Sequence, residues 1–343
     1  MFTLITYRCS VNHSPIVIAH RGASGYRPEH TMAAYRLAIA MGADAVEPDL
    51  VATKDGVLVV RHENEISGTT DVASHPEFAT KKTTKTIDGK ELTGWFTEDF
   101  SWAELATLGA VERIPKVRKA NRRWNSSEGI LRLVDLLDLL DATPRHVALV
   151  AEIKHATYFE SIGLPLDQLY AAELERAGWA QDARLTTESF ELTVLLKVRE
   201  RGVGGKVVFL IDSKGSPADE IAANGSNAIE YSEYLTPTAL AALATEVDGI
   251  SVAKRLILPK GADPKTAGQS PLVAAAHAAG LSIFVWTLRA ENKFLARGLT
   301  RGVDAAALGN WKREFTAIMR SGVDGVFADQ PDLAIEARAS LLS

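Results

Sequence analysis

The stretch that decides the fold is "IVIAHRGASGYRPEHTMAAYRLAIAMGADAVEPDLV", residues 16–51. It opens on an apolar run of β type, IVIAH (16–20), which ends in the adjacent cations His20 and Arg21. A loop with Gly22, Gly25 and Pro28 follows, and then "TMAAYRLAIAMGA" (31–43), whose apolar residues recur at helical spacing. Gly42 is placed to stop that helix. A second β-type run, AVEPDLV (45–51), comes next. Strand, helix and strand in this order read as a parallel βαβ unit.

The same alternation continues along the chain. Further strands are read at 147–153 (VALVAEI), 184–190 (RLTTESF), 206–211 (KVVFLI), 248–252 (DGISV), 282–287 (SIFVWT) and 324–328 (DGVFA). Amphipathic helices are read at 131–142, 165–178, 236–247 and 270–280, with Leu133, Leu136, Leu137 and Leu140 on one face of the first. Eight strands alternating with helices predict an α/β protein, a (β/α)8 TIM barrel, with a doubly wound open sheet as the alternative. One interval breaks the rhythm. Residues 52–130 are polar and irregular, as in "KKTTKTIDGKELTG" and "KVRKANRRWNSSEG". A structureless loop of that length is improbable in a compact domain. The interval is expected to be a small subdomain inserted after the second strand, on the barrel face that carries active sites.

Bulk properties exclude several classes. The chain of 343 residues has a formal net charge of -5 at pH 7, which offers no general case for nucleic acid. No apolar run approaches the roughly 18 residues of a membrane span. The first residues lack a basic start and apolar core, so the chain reads as cytoplasmic, or as a mature periplasmic or secreted form. Cys9 is the only cysteine, which rules out an intrachain disulfide. The sequence leaves the oligomeric state open.

The charged groups at strand ends carry the chemistry. Glu47 and Asp49 stand two apart in a strand, so both point to one face, and Pro48 between them favours the strand's C-terminal edge. Paired carboxylates there suit Mg²⁺ or Ca²⁺. In "TKDGVLVVRHE", Asp55-Gly56 predicts a two-residue hairpin turn that sets Val51 against Val60 and Asp49 against His62. A slip of one residue would turn His62 away. Glu152 and Lys154 share a face at the end of the apolar run VALVA, where a buried charge needs a partner or a metal. Glu152 offers a third carboxylate and Lys154 a cation.

Two imidazoles, three carboxylates, a guanidinium and an ammonium on one rim suit phosphodiester cleavage. No Gly-x-Ser-x-Gly motif occurs, and the lone cysteine is remote. His20 and His62 would take and give protons, and a hard cation would polarise a phosphoryl oxygen. Arg21 can fork onto phosphate oxygens. One neutral and one charged imidazole would give a bell-shaped pH–rate profile. Attack by water and attack by a neighbouring substrate hydroxyl, through a cyclic phosphate, both remain open.

Taken in order, "AHRGASGYRPEHT", "VEPDLVATKDGVLVVRHE", "AEIK", "SF", "VWT" and "DGVFADQP" resemble the glycerophosphodiester phosphodiesterase family. The long insertion resembles its periplasmic or secreted branch. The resemblance implies a TIM barrel with an insertion after the second strand, and one divalent cation, Ca²⁺ or Mg²⁺, on Glu47, Asp49 and Glu152. It implies acid–base roles for His20 and His62 and phosphate contacts from Arg21 and Lys154. The implied reaction turns a small glycerophosphodiester, such as glycerophosphocholine, into sn-glycerol 3-phosphate and an alcohol. Phe190 and Trp286 would line the substrate pocket or belong to the barrel core. His30 is expected to be a structural loop residue, and Glu29 to brace the loop backbone. Leu288-Arg289 departs from the aliphatic–Asn pair that usually follows "VWT". Two alternatives remain. One is a phosphodiesterase for acylated substrates, with an apolar groove from Trp95, Phe96, Phe100 and Trp102; the bland reading of these aromatics is the insertion's own core. The other is a silent binding module.

Overall fold

The computed structural model describes residues 14–259 and 270–341; Cys9 lies outside them. Twelve strands are present: β1 (Ile16–His20), β2 (Ala45–Glu47), β3 (Asp49–Ala52), β4 (Leu58–Val60), β5 (Thr83–Ile87), β6 (Lys90–Gly94), β7 (Ala148–Ile153), β8 (Leu185–Ser189), β9 (Lys206–Ile211), β10 (Gly249–Ala253), β11 (Ser282–Leu288) and β12 (Gly325–Ala328). The main sheet runs β2-β1-β12-β11-β10-β9-β8-β7, and pairing of β2 with β7 closes it. These pairings are all parallel, with helices between successive strands, so the fold is a (β/α)8 barrel and not an open sheet.

Alternation along each strand builds two cores. In β1, Val17 and Ala19 pack outward against helices, while Ile18 joins Val150, Val208, Phe284 and Phe327 in a separate apolar layer inside the barrel. His20, two residues beyond Ile18, therefore lies on the inner face above that layer. The first helix, Met32–Met41, starts at Thr31, whose side chain accepts from the Ala34 N–H. It stops at Gly42, where φ of 95° suits a residue without Cβ.

Pro48 sits inside the second strand rather than at its edge. Ala45 pairs with Ala148 and Asp49 with Glu152, one unbroken register on either side of the proline. Pro48 supplies no N–H, but its carbonyl accepts from the Glu152 N–H at 2.9 Å. The interruption is thus one missing donor, not a strand end.

The hairpin that follows differs from the expected one. Leu50 pairs with Val60, Val51 with Val59 and Ala52 with Leu58. The loop is the three residues Lys54-Asp55-Gly56, with Gly56 left-handed at φ 76°. The Asp55 carboxylate accepts from the Thr53 hydroxyl at 2.6 Å and from the Trp102 N–H at 2.9 Å, which opens the turn by one residue. Arg61, not His62, is therefore the residue opposite Asp49, and its N–H donates to the Asp49 carbonyl at 2.9 Å.

Because β3 and β4 stay on the barrel sheet, the segment with elements of its own begins after Val60, later than residue 52. It holds the β5–β6 hairpin and several short helical turns. Its aromatics pack on one another and into the outer core of the barrel. Phe96 and Phe100 are fully buried, Phe78 and Phe100 meet edge to face at 5.1 Å, and the Trp95 indole N–H donates to the Phe78 carbonyl at 2.7 Å. Trp102 packs partly buried against the same core. The apolar groove required for acylated substrates is not formed by these side chains. Among the described residues, no helix is long and apolar enough to cross a membrane.

Candidate active site

The C-terminal ends of the strands surround a cavity of about 770 Å³, lined on one side by His20, Arg21, Glu47, His62, Glu152 and Glu188. Strand register explains the grouping. His20 pairs with Glu47, Asp49 with Glu152, and Glu152 with Glu188, so neighbouring strands end in one polar row. Arg21 takes a left-handed φ of 60°, unfavourable for a residue with Cβ. Its N–H donates to the Glu47 carboxylate at 2.7 Å, which holds the turn in that conformation.

Glu47, Glu152 and Glu188 each place an oxygen within 4.8 Å of the others. Glu188, in the strand "LTTES", carries no signal of its own in the sequence beyond alternation, which puts it on the same face as Phe190 just past the strand end. Asp49 stands outside this compact trio. Its Oδ2 accepts from His30 Nε2 at 2.8 Å and lies 3.3 Å from Arg21 Nε. Its Oδ1 is buried without a hydrogen-bond partner, 3.9 Å from Lys154 Nζ. His30 is fully buried, bound also to the Tyr35 hydroxyl, and serves Asp49 rather than the cavity.

The electrostatics follow from burial. Desolvation and the neighbouring acids push Glu47 and Glu188 well above the usual carboxylate range. Burial and Asp49 raise Glu152 to about 8, although Lys154 pulls the other way. Against its own burial, Asp49 is held well below its ordinary value by His62, Lys154 and Arg21. Three crowded acids that resist ionising, with buried orphan oxygens on Glu188 and Asp49, form a hard oxygen donor set that could hold a divalent cation.

The two imidazoles are oriented alike. His20 Nδ1 meets Asp329 Oδ1 at 2.6 Å, and His62 Nδ1 meets Glu63 Oε1 at 2.5 Å. Each carboxylate fixes the proton on Nδ1 and leaves Nε2 for chemistry. His62 reaches the cavity in spite of the hairpin slip because β4 ends at Val60, two residues earlier, where alternation no longer governs. Burial and Arg21 lower His20 to about 4; burial, Arg21 and Lys154 lower His62 to about 3. Both shifts favour the neutral ring. Lys154 Nζ donates to Glu152 Oε1 at 2.7 Å and lies 3.5 Å from His62 Nε2. Phe190 and Trp286 both line the cavity and meet edge to face at 5.6 Å.

Several supporting residues escaped the sequence reading. Asp329, in "ADQP", is held well below its usual range: burial opposes ionisation, but Arg289, Arg118 and His20 outweigh it. Arg118, from the insertion, donates to Asp329 Oδ2 at 2.5 Å, Glu291 Oε1 at 2.7 Å and the Ser24 carbonyl at 3.1 Å. It is one of many basic residues in "KVRKANRRW", and no periodicity marks it. Glu29 binds side chains, not loop backbone. Its carboxylate accepts from Arg113 at 2.6 and 2.8 Å and from Arg21 at 3.2 Å, so the insertion fixes the Arg21 guanidinium.

Cleavage of a phosphodiester is the chemistry that oriented histidines, cations and an acidic trio, gathered at the strand ends of a barrel, suit. The sequence model of the glycerophosphoryl diester phosphodiesterase family matches residues 20–333. The chain belongs to that family. It is 31% identical over 329 residues to a glycerophosphodiester phosphodiesterase of Arabidopsis thaliana, covering 92% of this chain and 83% of the relative. A glycerophosphodiester phosphodiesterase of Haemophilus influenzae is 27% identical over 344 residues, covering 94% and 89%. Among solved structures, an Oleispira antarctica phosphodiesterase in complex with the product sn-glycerol-3-phosphate superposes with a TM-score of 0.59 at 19% identity, covering 94% of this chain and 96% of that one. A glycerophosphodiester phosphodiesterase from Parabacteroides distasonis gives 0.59 at 19%, covering 96% and 99%. At these identities the structures speak to the fold.

Proposed function

We propose that the protein hydrolyses small, deacylated glycerophosphodiesters to sn-glycerol 3-phosphate and an alcohol, with one divalent cation, Mg²⁺ or Ca²⁺, on Glu47, Glu152 and Asp49, joined by Glu188. The observation that carries this reading is the meeting of the acidic trio with His20, Arg21 and His62 on one wall of one cavity. The relative crystallised with sn-glycerol-3-phosphate supports the choice of product. A bound cation supplies Lewis acidity toward a phosphoryl oxygen and neutralises the crowded carboxylates.

The chain's own residues bind, orient and move protons. Arg21, pinned by Glu29, and Lys154, pinned by Glu152, present positive charge to the phosphodiester. His20 and His62 line the cavity, and burial draws both rings toward the neutral form. One takes the nucleophile's proton; the other protonates the departing alkoxide after gaining a proton beside the anionic substrate. Asp329 and Glu63 hold the two rings in the required tautomer. Phe190 and Trp286 bound the space for the two ester arms.

The test is turnover of a glycerophosphodiester by His20→Ala and His62→Ala, each with its fold checked by circular dichroism. Loss of about 10²–10⁴ in kcat in both is expected for acid–base residues. Unchanged turnover in either variant removes that histidine from the mechanism.

A further inference from the structure

The cavity has a second wall. In the closed order β2-β1-β12-β11-β10-β9-β8-β7, β10 stands opposite β2 and β11 opposite β7. The segments leaving β10 and β11 therefore face the acidic trio across the mouth. They bring Lys254, Arg255, Arg289, Lys293 and Arg297 to the same cavity. Two of these cations are matched: Lys254 pairs with Glu314 at 2.6 Å, and Arg289 with Asp329 at 2.8 Å. Arg255, Lys293 and Arg297 are exposed and have no acidic partner among the described residues. The unmatched acid on this side is Asp212, whose Oδ1 is occupied by the Ser213 N–H and hydroxyl at 2.5 and 3.1 Å. The wall carries an excess of positive charge.

Two aromatic rings of the cavity already carry protein cations. Arg289 and Lys293 lie 5.0 and 5.6 Å from the Phe294 ring centre, and Lys154 lies 5.4 Å from that of Phe190. A quaternary amine binds through such faces, and here, of Phe190, Trp286 and Phe294, only Trp286, packed edge to face on Phe190, carries no protein cation. A phosphodiester held on the trio has two arms. The glycerol arm of a deacylated substrate carries only hydroxyls, which gain nothing special from three unpaired cations. The other arm, the alcohol headgroup, can carry charge.

We infer that the wall formed by Arg255, Lys293 and Arg297 is a headgroup subsite for an anionic alcohol, such as a polyol bearing a second phosphate. The inference rests on the phosphodiesterase reading above and names the substrate class within it. The field of the wall draws in an anionic headgroup and disfavours choline.

The experiment compares kcat/KM for three glycerophosphodiesters, with glycerol, choline or a phosphorylated inositol as the alcohol, in the presence of Mg²⁺ or Ca²⁺. It uses the full chain, the double variant Arg255→Gln/Arg297→Gln, and Arg36→Gln as a control that removes an exposed charge from the first helix. The phosphorylated inositol ester is expected to exceed the choline ester by about tenfold or more at low salt, and the margin to shrink as ionic strength rises. In the double variant the ratio of the phosphorylated inositol ester to the glycerol ester falls about tenfold, the scale of two near-surface ion pairs; in Arg36→Gln it holds. A choline ester cleaved as well as the anionic one overturns the inference while leaving the phosphodiesterase reading intact. So does a preference that survives the double variant. Failure to cleave any of the three brings down the reading beneath it.

Discussion

Replacing Arg118 with Met separates stability from catalysis at the seam between insertion and barrel. Arg118 is 9% exposed and sits between Asp329 and Glu291, with one more bond to the Ser24 carbonyl. Removing one partner of a buried ion pair costs about 3–5 kcal/mol, because the acid left behind stays desolvated. Here the acids keep other partners: Arg289 at 2.8 Å from Asp329, and Gln330 Nε2 donating to Glu291 at 3.0 Å. The lower end, about 3 kcal/mol, is therefore expected, read as a shift in the urea midpoint. Catalysis responds through Asp329. With Arg118 gone, the carboxylate that orients His20 is held by one guanidinium instead of two. Groups that orient a reacting residue from behind are worth about 10–100-fold, so kcat falls by that factor while KM changes little. Arg118→Lys keeps the charge but not the fork and recovers part of both losses. A full loss of stability with kcat intact refutes the orienting role. Intact stability refutes the argument from burial.

Three further outcomes follow from the site. Glu188→Gln keeps the shape of the trio but removes one charge, so the cation concentration for half-maximal activity rises; an unchanged requirement, read by titrating cation into chelated protein, removes Glu188 from the donor set. The cation-free protein loses stability between about pH 6.5 and 8. There the raised carboxyls of Glu47, Glu152 and Glu188 still bind protons in the fold that an unfolded chain has released, so stability declines with pH. Below about pH 6.5 the lowered imidazoles of His20, His30 and His62 act in the opposite sense, since the unfolded chain takes up the proton first. Urea unfolding at pH 6.5 and 8, with and without Mg²⁺, reads this; stability that rises over the window without cation contradicts it. Finally, Glu29→Gln weakens two arginine contacts at once, and with Arg21 less firmly held it raises KM for the phosphodiester several-fold, whereas an unaltered KM would show that Arg21 needs no anchor.

The barrel was legible because its signal is redundant. Each strand carries its own apolar run, so the break at Pro48 and the missed turn at Lys54-Asp55-Gly56 leave the topology intact. Residues at strand ends were legible for the same reason: alternation places His20, Glu47 and Glu152 on the inner face wherever the strands lie. His62 was reached by a mistaken route, since the register behind it was one residue out, and the side chain arrives because it lies beyond the strand. What stayed hidden depends on contacts distant in sequence. Arg118 meets Asp329 across 211 positions, and Arg113 meets Glu29 across 84, pairings that no local pattern encodes. Glu188 was missed although its strand was read, because an acid in a half-polar strand looks solvated until its neighbours on β7 are known.

The proposed phosphodiester hydrolysis takes place at Glu47, Asp49, Glu152 and Glu188 and depends on a cation held there. Its most direct test is release of sn-glycerol 3-phosphate by the chelated protein, followed while Mg²⁺ or Ca²⁺ is added back to the unaltered chain and to Glu152→Gln. No turnover is expected after chelation, with recovery on added cation and little or none in the variant. Undiminished turnover by the chelated protein would contradict that dependence on the cation.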